Sequence, residues 1–349
     1  MRVLIVGTGL IGTSVGLALT KAGHTVWLRD TDSAHQQHAI DMGAGVAMPN
    51  DGVPDVVLIA TPPAGVATVA KELHTQYVNA TFTDVSSIKS QPVHDIESLN
   101  DVASRFVGGH PMAGRETSGP AGARADLFKD RLWILTPTMS TEESRLSQVR
   151  ELVIDCGAIV TTMDAAAHDR AVALTSHTPQ VLSSLMAGLI AVADAQDVQL
   201  AGQGLRDLTR IAGSNPELWD DILTSNANEV DRVLAALEAQ LEAVRTALRH
   251  GDSVAEMLRA GNAGRQRIPA RHGGLILEDL QIVSVDIADR PGELARLFAA
   301  AGEADISIDD VRIDHVIGRE AAIVDLSVKP ERAERLRDVL SAGGWHVRS

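Results

Sequence analysis

Arg2-Val3-Leu4-Ile5-Val6-Gly7-Thr8-Gly9-Leu10-Ile11-Gly12 opens the chain. A short apolar run meets glycines spaced G-x-G-x-x-G, and a helical pattern follows through Lys21. His24–Leu28 is a second apolar run, ending at Arg29-Asp30. The order is strand, glycine turn, helix, strand, acid. In that frame Gly7 makes the tight turn, Gly9 leaves room for a pyrophosphate, and Gly12 lets the helix pack on the strand. Leu10, Ile11 and Gly12 begin the helix, whose orphan amides and partial positive charge face the phosphates. Asp30 stands close to the spacing at which an acid accepts hydrogen bonds from an adenine ribose. A tight strand–helix turn without a ligand is the plainer alternative. The expected cofactor is NAD, because Asp30 repels a 2′-phosphate; Arg29 beside it leaves NADP open.

More apolar runs follow in the same rhythm. Asp55–Ala60 ends in Thr61-Pro62-Pro63, Thr81–Val85 in Ser86-Ser87-Ile88-Lys89, and Phe106–Gly108 in a loop beginning Gly109-His110-Pro111-Met112-Ala113-Gly114. Leu132–Leu135 and Ala158–Thr162 complete a domain over residues 1–163. Ligands of open α/β sheets bind beyond the carboxyl ends of the strands, so Thr61, Ser87 and His110 are expected on one crevice. Ser87 also reads as an ordinary helix N-cap. A histidine at this position can titrate near neutral pH, which would suit His110 to proton transfer, yet a turn histidine satisfied by a carbonyl is the common case for one seen alone.

Composition sets the bounds. At 349 residues, two or three domains are expected. Hydrophobic residues make up 45% and aromatics only 3%, so the core is aliphatic, which suits parallel strands under helices. A net charge of −15 argues against a nucleic-acid partner. One cysteine, Cys156, excludes an internal disulfide and a cysteine-based metal site, and fits a reducing compartment. No uninterrupted apolar run reaches membrane-spanning length, and the chain reads as a soluble, cytoplasmic protein without a membrane partner.

From Asp164 helical periodicity takes over, predicting an all-helical domain over residues 164–260. His168-Asp169-Arg170 begins one long helix that carries Ser176-His177-Thr178-Pro179-Gln180, where Pro179 should kink or open it. Nine residues apart, His168 and His177 should point opposite ways; each reads as structural, and no metal site is expected. Asn228–Arg249 carries Val230, Val233, Leu234, Leu237 and Leu241 on one stripe, which is either core or a homodimer interface.

Gly261 begins a polar stretch, and residues 261–279 read as a linker. Residues 280–349 then read βαββαβ, an α+β ferredoxin-like module: strand Leu280–Ile287, turn Asp289-Arg290-Pro291-Gly292-Glu293, helix Leu294–Ala301, paired strands Ile306–Val316 and Ala321–Val328 around Gly318, helix Glu331–Ala342, and a strand at Trp345-His346-Val347.

Taken in this order, residues 1–260 resemble the prephenate/arogenate dehydrogenase family. The carriers are the glycine motif, Asp84-Val85-Ser86-Ser87-Ile88-Lys89, His110-Pro111-Met112-Ala113-Gly114 with Ser118-Gly119, Ser176-His177-Thr178-Pro179, and Arg206-Asp207-Leu208-Thr209-Arg210-Ile211-Ala212. The tail looks like an ACT domain, a small-molecule sensor. The resemblance implies oxidative decarboxylation of prephenate with hydride transfer to NAD; arogenate is the alternative substrate. It assigns His110 as the base, Ser87 as its orienting hydroxyl, Arg210 as the carboxylate-binding cation, and Glu116, His177 and Gln180 as further substrate contacts. An ion pair with Asp207 is the plainer role for Arg210. Where many relatives have a second histidine, this chain has Gln180, which leaves the substrate's side chain open. The resemblance also implies tyrosine as a feedback ligand, at the tail or at the active site. Two other classes remain: another β-hydroxyacid-type dehydrogenase, which would want a lysine absent between Asp164 and Asn228, and a non-catalytic amino-acid sensor.

Overall fold

A computed structural model describes residues 1–114, 119–268, 280–288, 290–315 and 321–348. Chain contacts divide it into two compact units, Met1–Gly261 and Asn262–Ser349.

The first unit opens with β1 (Arg2–Val6), α1 (Leu10–Lys21), β2 (Thr25–Arg29), α2 (Ser33–Asp41), β3 (Val46–Ala47) and β4 (Val56–Ile59). It continues through α3 (Val66–Leu73), β5 (Thr81–Asp84), α4 (Ser90–Glu97), α5 (Asn100–Ala103), β6 (Phe106–Pro111), β7 (Leu132–Thr136), α6 (Glu143–Asp155) and β8 (Ile159–Thr162). The sheet order is β3-β2-β1-β4-β5-β6-β7-β8. Crossing from β1 to β2 on one side and to β4 on the other creates the switch point where such sheets bind ligands.

Alternation along β1 shows why the strands read as continuous apolar runs. Val3 and Ile5 pack with Val15 and Leu19 of α1 and Leu152 of α6, while Leu4 and Val6 pack with Val66 and Leu73 of α3 and Ile96 of α4. Both faces are covered from Val3 to Val6, so no position along that run is left to be polar.

Two features depart from the sequence reading. The two-residue edge strand β3 was too short to show a pattern. The histidine loop is in fact strand: β6 continues through Pro111 because β7 runs antiparallel to it, pairing His110 with Ile134 and Pro111 with Trp133. His110 thus stands on a hydrogen-bonded ladder.

Helices follow: α7 (Ala165–Val172), α8 (Thr178–Ala191), α9 (Ala195–Val198), α10 (Gln203–Thr209), α11 (Pro216–Ser225), α12 (Ala227–His250) and α13 (Ala255–Gln266). Between α7 and α8 lies a π-helical turn, Ala173–His177, with Pro179 in the first turn of α8. Proline has no N–H for the ladder, and the widened turn absorbs the defect. Within the expected linker, α13 carries helix through Gln266, past Gly261 and Gly264. The polar, glycine-containing segment carries helix across that boundary, and residues 269–279 lie outside the described set.

The second unit contains β9 (Gln281–Ala288), α14 (Glu293–Glu303), β10 (Asp310–His315), β11 (Ala321–Val328), α15 (Pro330–Ala342) and β12 (His346–Val347). Its antiparallel sheet has the order β10-β11-β9-β12. Val283, Val285, Ile287, Val324 and Leu326 pack under Leu297, Leu336 and Leu340 of the two helices. Asp289 of the expected turn and Gly318 of the expected hairpin lie outside the described residues.

The glycine turn gives a direct test. A Cβ at Gly12 would lie 2.0 Å from the Gly7 carbonyl oxygen, whereas a Cβ at Gly9 would meet nothing within 4 Å. Gly12→Ala should destabilise the protein by about 1–3 kcal/mol, the usual cost of overpacking. Gly9→Ala should leave thermal unfolding unchanged. Equal melting temperatures for the two variants would contradict the packing described.

Candidate active site

The glycine turn has the features of an anion cradle. Gly7 takes φ +102°, a conformation that favours glycine, and its amide donates to the Arg29 carbonyl at 2.8 Å. Gly9 caps α1 without a side chain, leaving the amides of Leu10, Ile11 and Gly12 with no capping group. Open space at Gly9 is where a pyrophosphate would approach those amides.

Asp30, at the end of β2, accepts hydrogen bonds from the Thr8 amide and hydroxyl and from the Asp32 amide. Burial pushes its carboxyl up, but those bonds and nearby His35 hold it below the ordinary carboxylate range. It is an ionised group anchored to the phosphate loop. Arg29 turns the other way, donating to Glu72 of α3 at 2.6 Å.

Thr61, Ser87 and His110 follow or end β4, β5 and β6, three neighbouring strands, so the expected crevice has all three along one edge. Beneath them lies a polar network that the sequence reading left out. Lys89 is fully buried, and its ammonium donates to Asp84, to the Ser86 hydroxyl at 3.0 Å and to the Gly109 carbonyl at 2.7 Å. Asp84 also accepts from the Gly109 amide at 2.9 Å and from the Ser86 hydroxyl. All three ammonium protons have acceptors, which is what a buried lysine requires. Burial lowers the Lys89 pKa, while Asp84 and Asp169 work to keep it charged. The pair thereby grips both backbone polar groups of the residue preceding His110.

His110 Nδ1 lies 2.8 Å from His168 Nε2, and His168 Nδ1 lies 2.8 Å from Asp169 Oδ1. The Asp169 carboxylate also accepts from the amides of Lys89 at 2.8 Å and Ser90 at 2.7 Å. Helix α4 has no side-chain cap of its own, so the helical part of the chain supplies one. Asn226 then ties the Asp169 carbonyl to His177 Nδ1, at 2.9 and 3.1 Å. The expectation that His168 and His177 diverge is overturned. The π-helical turn between them carries an extra residue per turn, which rotates His177 back toward the Asp169 side.

Burial drives the His110 pKa well below its ordinary value, and the neighbouring His168, Lys89 and His177 add to that. His177 is lowered to about 4, first by burial, with Asp169 opposing and His168 assisting. Burial pushes the Asp169 carboxyl up, but bonds from His168, Ser90 and Lys89 outweigh it and hold the pKa low. Near neutral pH, His110 and His177 are neutral and Asp169 is ionised. His110 can therefore accept a proton without first losing one.

Gln180 and Ser184 of α8 help line a cavity of about 380 Å³ with Trp219 of α11 and Ala212 and Ser214 beside a 3₁₀ turn, Arg210–Gly213. Gln180 is buried; its amide donates to Ser184 at 3.4 Å and its carbonyl oxygen has no partner. Arg210 is exposed at the start of that turn, whose Ala212 lines this cavity. Ser87 is half-buried, and the partner seen on His110 is His168. Glu116 and Ser118 lie outside the described residues. His168, Asp169, Lys89 and Asn226 carried too weak a signal alone: a buried network is assembled by folding, and only the adjacency of His168 and Asp169 hinted at it.

Comparison with known proteins supplies the family. Residues 15–162 match the model for the nucleotide-binding domain of prephenate dehydrogenase, and residues 164–260 match the model for its dimerization domain. A probable prephenate dehydrogenase, NovF, from Streptomyces niveus is 34% identical over 99% of both chains. The crystal structure of Aquifex aeolicus prephenate dehydrogenase with hydroxyphenyl propionate and NAD+ is 30% identical, with a TM-score of 0.69 over 76% of this chain and 97% of that one. Synechocystis arogenate dehydrogenase is 27% identical, with a TM-score of 0.65 over 76% and 99%.

Neutral burial of the histidines has a pH signature. The folded pKa of His177, about 4, lies below the ordinary value of about 6.5. The unfolded chain binds the extra proton between those values, so stability is complete above the unfolded pKa and falls as pH drops toward 4. His177 alone should cost about 2 kcal/mol by pH 5, and His110 should add in the same direction. Thermal unfolding at pH 7.5 and pH 5 measures the loss, which His177→Gln should reduce. A melting temperature independent of pH over that range would contradict it.

Proposed function

The chain belongs to the prephenate dehydrogenase family, and from that premise we propose that it converts prephenate to 4-hydroxyphenylpyruvate and carbon dioxide, passing a hydride to NAD, in tyrosine biosynthesis in the cytoplasm. The observation that carries the reading is His110, neutral and held on a rigid strand beside the crevice of a dinucleotide fold. Gly7, Gly9, Leu10, Ile11, Gly12, Asp30 and Thr61 fit the cofactor. NAD is favoured over NADP because Asp30 is ionised and Arg29 is engaged by Glu72.

Bound NAD supplies the hydride acceptor. His110 takes the hydroxyl proton as hydride leaves the carbinol carbon, with Ser87 at the same edge orienting the hydroxyl. Arg210 holds a substrate carboxylate, for which a guanidinium is suited by its bidentate donors. Gln180 and His177 line the side-chain end, and Glu116 joins them on the family resemblance. Arogenate is a second reading, favoured by one observation: the unpartnered, neutral Gln180 carbonyl oxygen can accept a bond from an ammonium group.

A homodimer is part of the proposal. Leu182, Leu185 and Leu189 of α8 and Leu241 and Leu248 of α12 are exposed, and of the expected α12 stripe only Val230 is buried within one chain. The second unit is proposed as a tyrosine sensor. Its α14 follows Gly292, an N-cap residue in a left-handed conformation, and has no side-chain cap, which leaves first-turn amides for a carboxylate. No helix among the described residues is long and apolar enough to cross a membrane.

Steady-state assays test this reading. His110→Asn should lower kcat by about 10²–10⁴-fold with NAD affinity retained. Arg210→Ala should chiefly raise KM. Near-wild-type turnover of the His110 variant would remove it from the mechanism, and a higher kcat/KM with arogenate than with prephenate would reverse the substrate assignment. Truncation after Ile268 should abolish tyrosine inhibition; equal inhibition of both forms would place tyrosine at the active site.

A further inference from the structure

The proton positions along His110, His168 and Asp169 are constrained by geometry. An ionised carboxylate only accepts, so the Asp169 oxygen 2.8 Å from His168 Nδ1 places the proton on that nitrogen. A ring protonated at Nδ1 alone offers Nε2 as an acceptor. Against such an acceptor, the 2.8 Å contact is a hydrogen bond only if His110 Nδ1 carries the proton. One lone pair remains, on His110 Nε2.

We propose that His168 and Asp169 are positioning residues: the Asp169 carboxylate, through His168, fixes His110 in the Nδ1–H tautomer and so makes Nε2 the proton acceptor for the substrate hydroxyl. This rests on the oxidative decarboxylation proposed above. The reaction uses this group twice, first as base and then as acid. In the redox step the C–H bond breaks with both electrons leaving to the nicotinamide, the O–H electrons form the carbonyl, and the hydroxyl proton binds His110 Nε2. In the second step the bond to the ring carboxylate breaks, carbon dioxide leaves, and the electron pair runs through the ring to the same oxygen, which takes the proton back. No net proton is released. Between the steps His110 can pass its Nδ1 proton to His168 Nε2, which places the positive charge on an imidazole bonded to Asp169.

The surroundings favour this arrangement. Among the described residues, the titratable and charged groups around His110 are His168 and His177 from the helical part and Lys89 from the segment after β5. Asp84 lies against Lys89, and Asp169 against His168. Asp169 is also fixed independently of the histidines, by the Lys89 and Ser90 amides, so its oxygen cannot turn away from His168 without uncapping α4.

Two replacements separate the tautomer from simple packing. Asparagine at position 169 can donate to His168 Nδ1, which would reverse every proton in the chain and leave His110 Nε2 as a donor. Glutamine at position 168 can still accept from His110 Nδ1. Asp169→Asn should therefore lower kcat more than His168→Gln, although it is farther from the substrate. The expected losses are about 10²–10⁴-fold and about tenfold, with KM for prephenate changed only a few-fold. The direct readout is the ¹⁵N spectrum of histidine-labelled wild-type enzyme with NAD bound, assigned from the His110→Asn and His168→Gln variants. It should show both imidazoles protonated at Nδ1. Finding His110 protonated at Nε2 overturns the proposal, as does a folded Asp169→Asn variant with wild-type kcat. Should Asp169→Asn fail to fold, the wild-type spectrum decides alone. An enzyme that turns over neither prephenate nor arogenate would instead refute the underlying reaction, and the spectrum would still report the tautomer.

Discussion

The carboxylate of Asp169 is the interaction on which this site depends. It caps α4 of the dinucleotide fold from a helix outside that fold, and it holds the imidazole that holds His110. A buried carboxylate left unpartnered is costly. Three donors converge on it, so the helical part of the chain is held where the base needs it. Lys89 does the same from the sheet side, since its ammonium cannot be buried without Asp84, Ser86 and the Gly109 carbonyl. Two buried charges thus fix both the strand that carries His110 and the ring nitrogen on which it turns. The cost of burying them is offset by hydrogen bonding, and the result is geometric definition more than stability.

The dinucleotide fold was legible because its signals are local. Glycine spacing, two apolar runs and an acid at the end of the second need no knowledge of what lies across the molecule, and Gly7, Gly12 and Asp30 stand where that pattern requires. The helical character of residues 164–260 was legible from periodicity, and the break at Pro179 from the chemistry of proline. The polar network was not. His168 was judged by its spacing from His177 along an ideal helix, and the π-helical turn invalidated that spacing. Lys89 appeared only as the last residue of a motif, because nothing local distinguishes a buried lysine from a solvated one. The continuation of β6 through Pro111 was hidden for a similar reason, since it depends on β7 folding back antiparallel.

The exposed aliphatic residues belong to the same account. A helical domain that leaves Leu185, Leu189 and Leu241 in solvent has its core elsewhere or finishes it with a second copy. The small sheet of the second unit, by contrast, closes its own core under two helices. Sequence pattern alone could not separate these cases, because an apolar stripe looks the same whether its partner lies in the same chain or another.

That the half-buried His110 is neutral in this network is the central claim, and the pH dependence of kcat/KM for prephenate at saturating NAD tests it most directly. That quantity reports the ionisation of the base before substrate binds. Desolvation, assisted by the neighbouring His168, Lys89 and His177, predicts an acid limb that breaks clearly below the ordinary histidine value of about 6.5. A break at or above about 7 would show a solvated or carboxylate-stabilised imidazole, and would contradict the account.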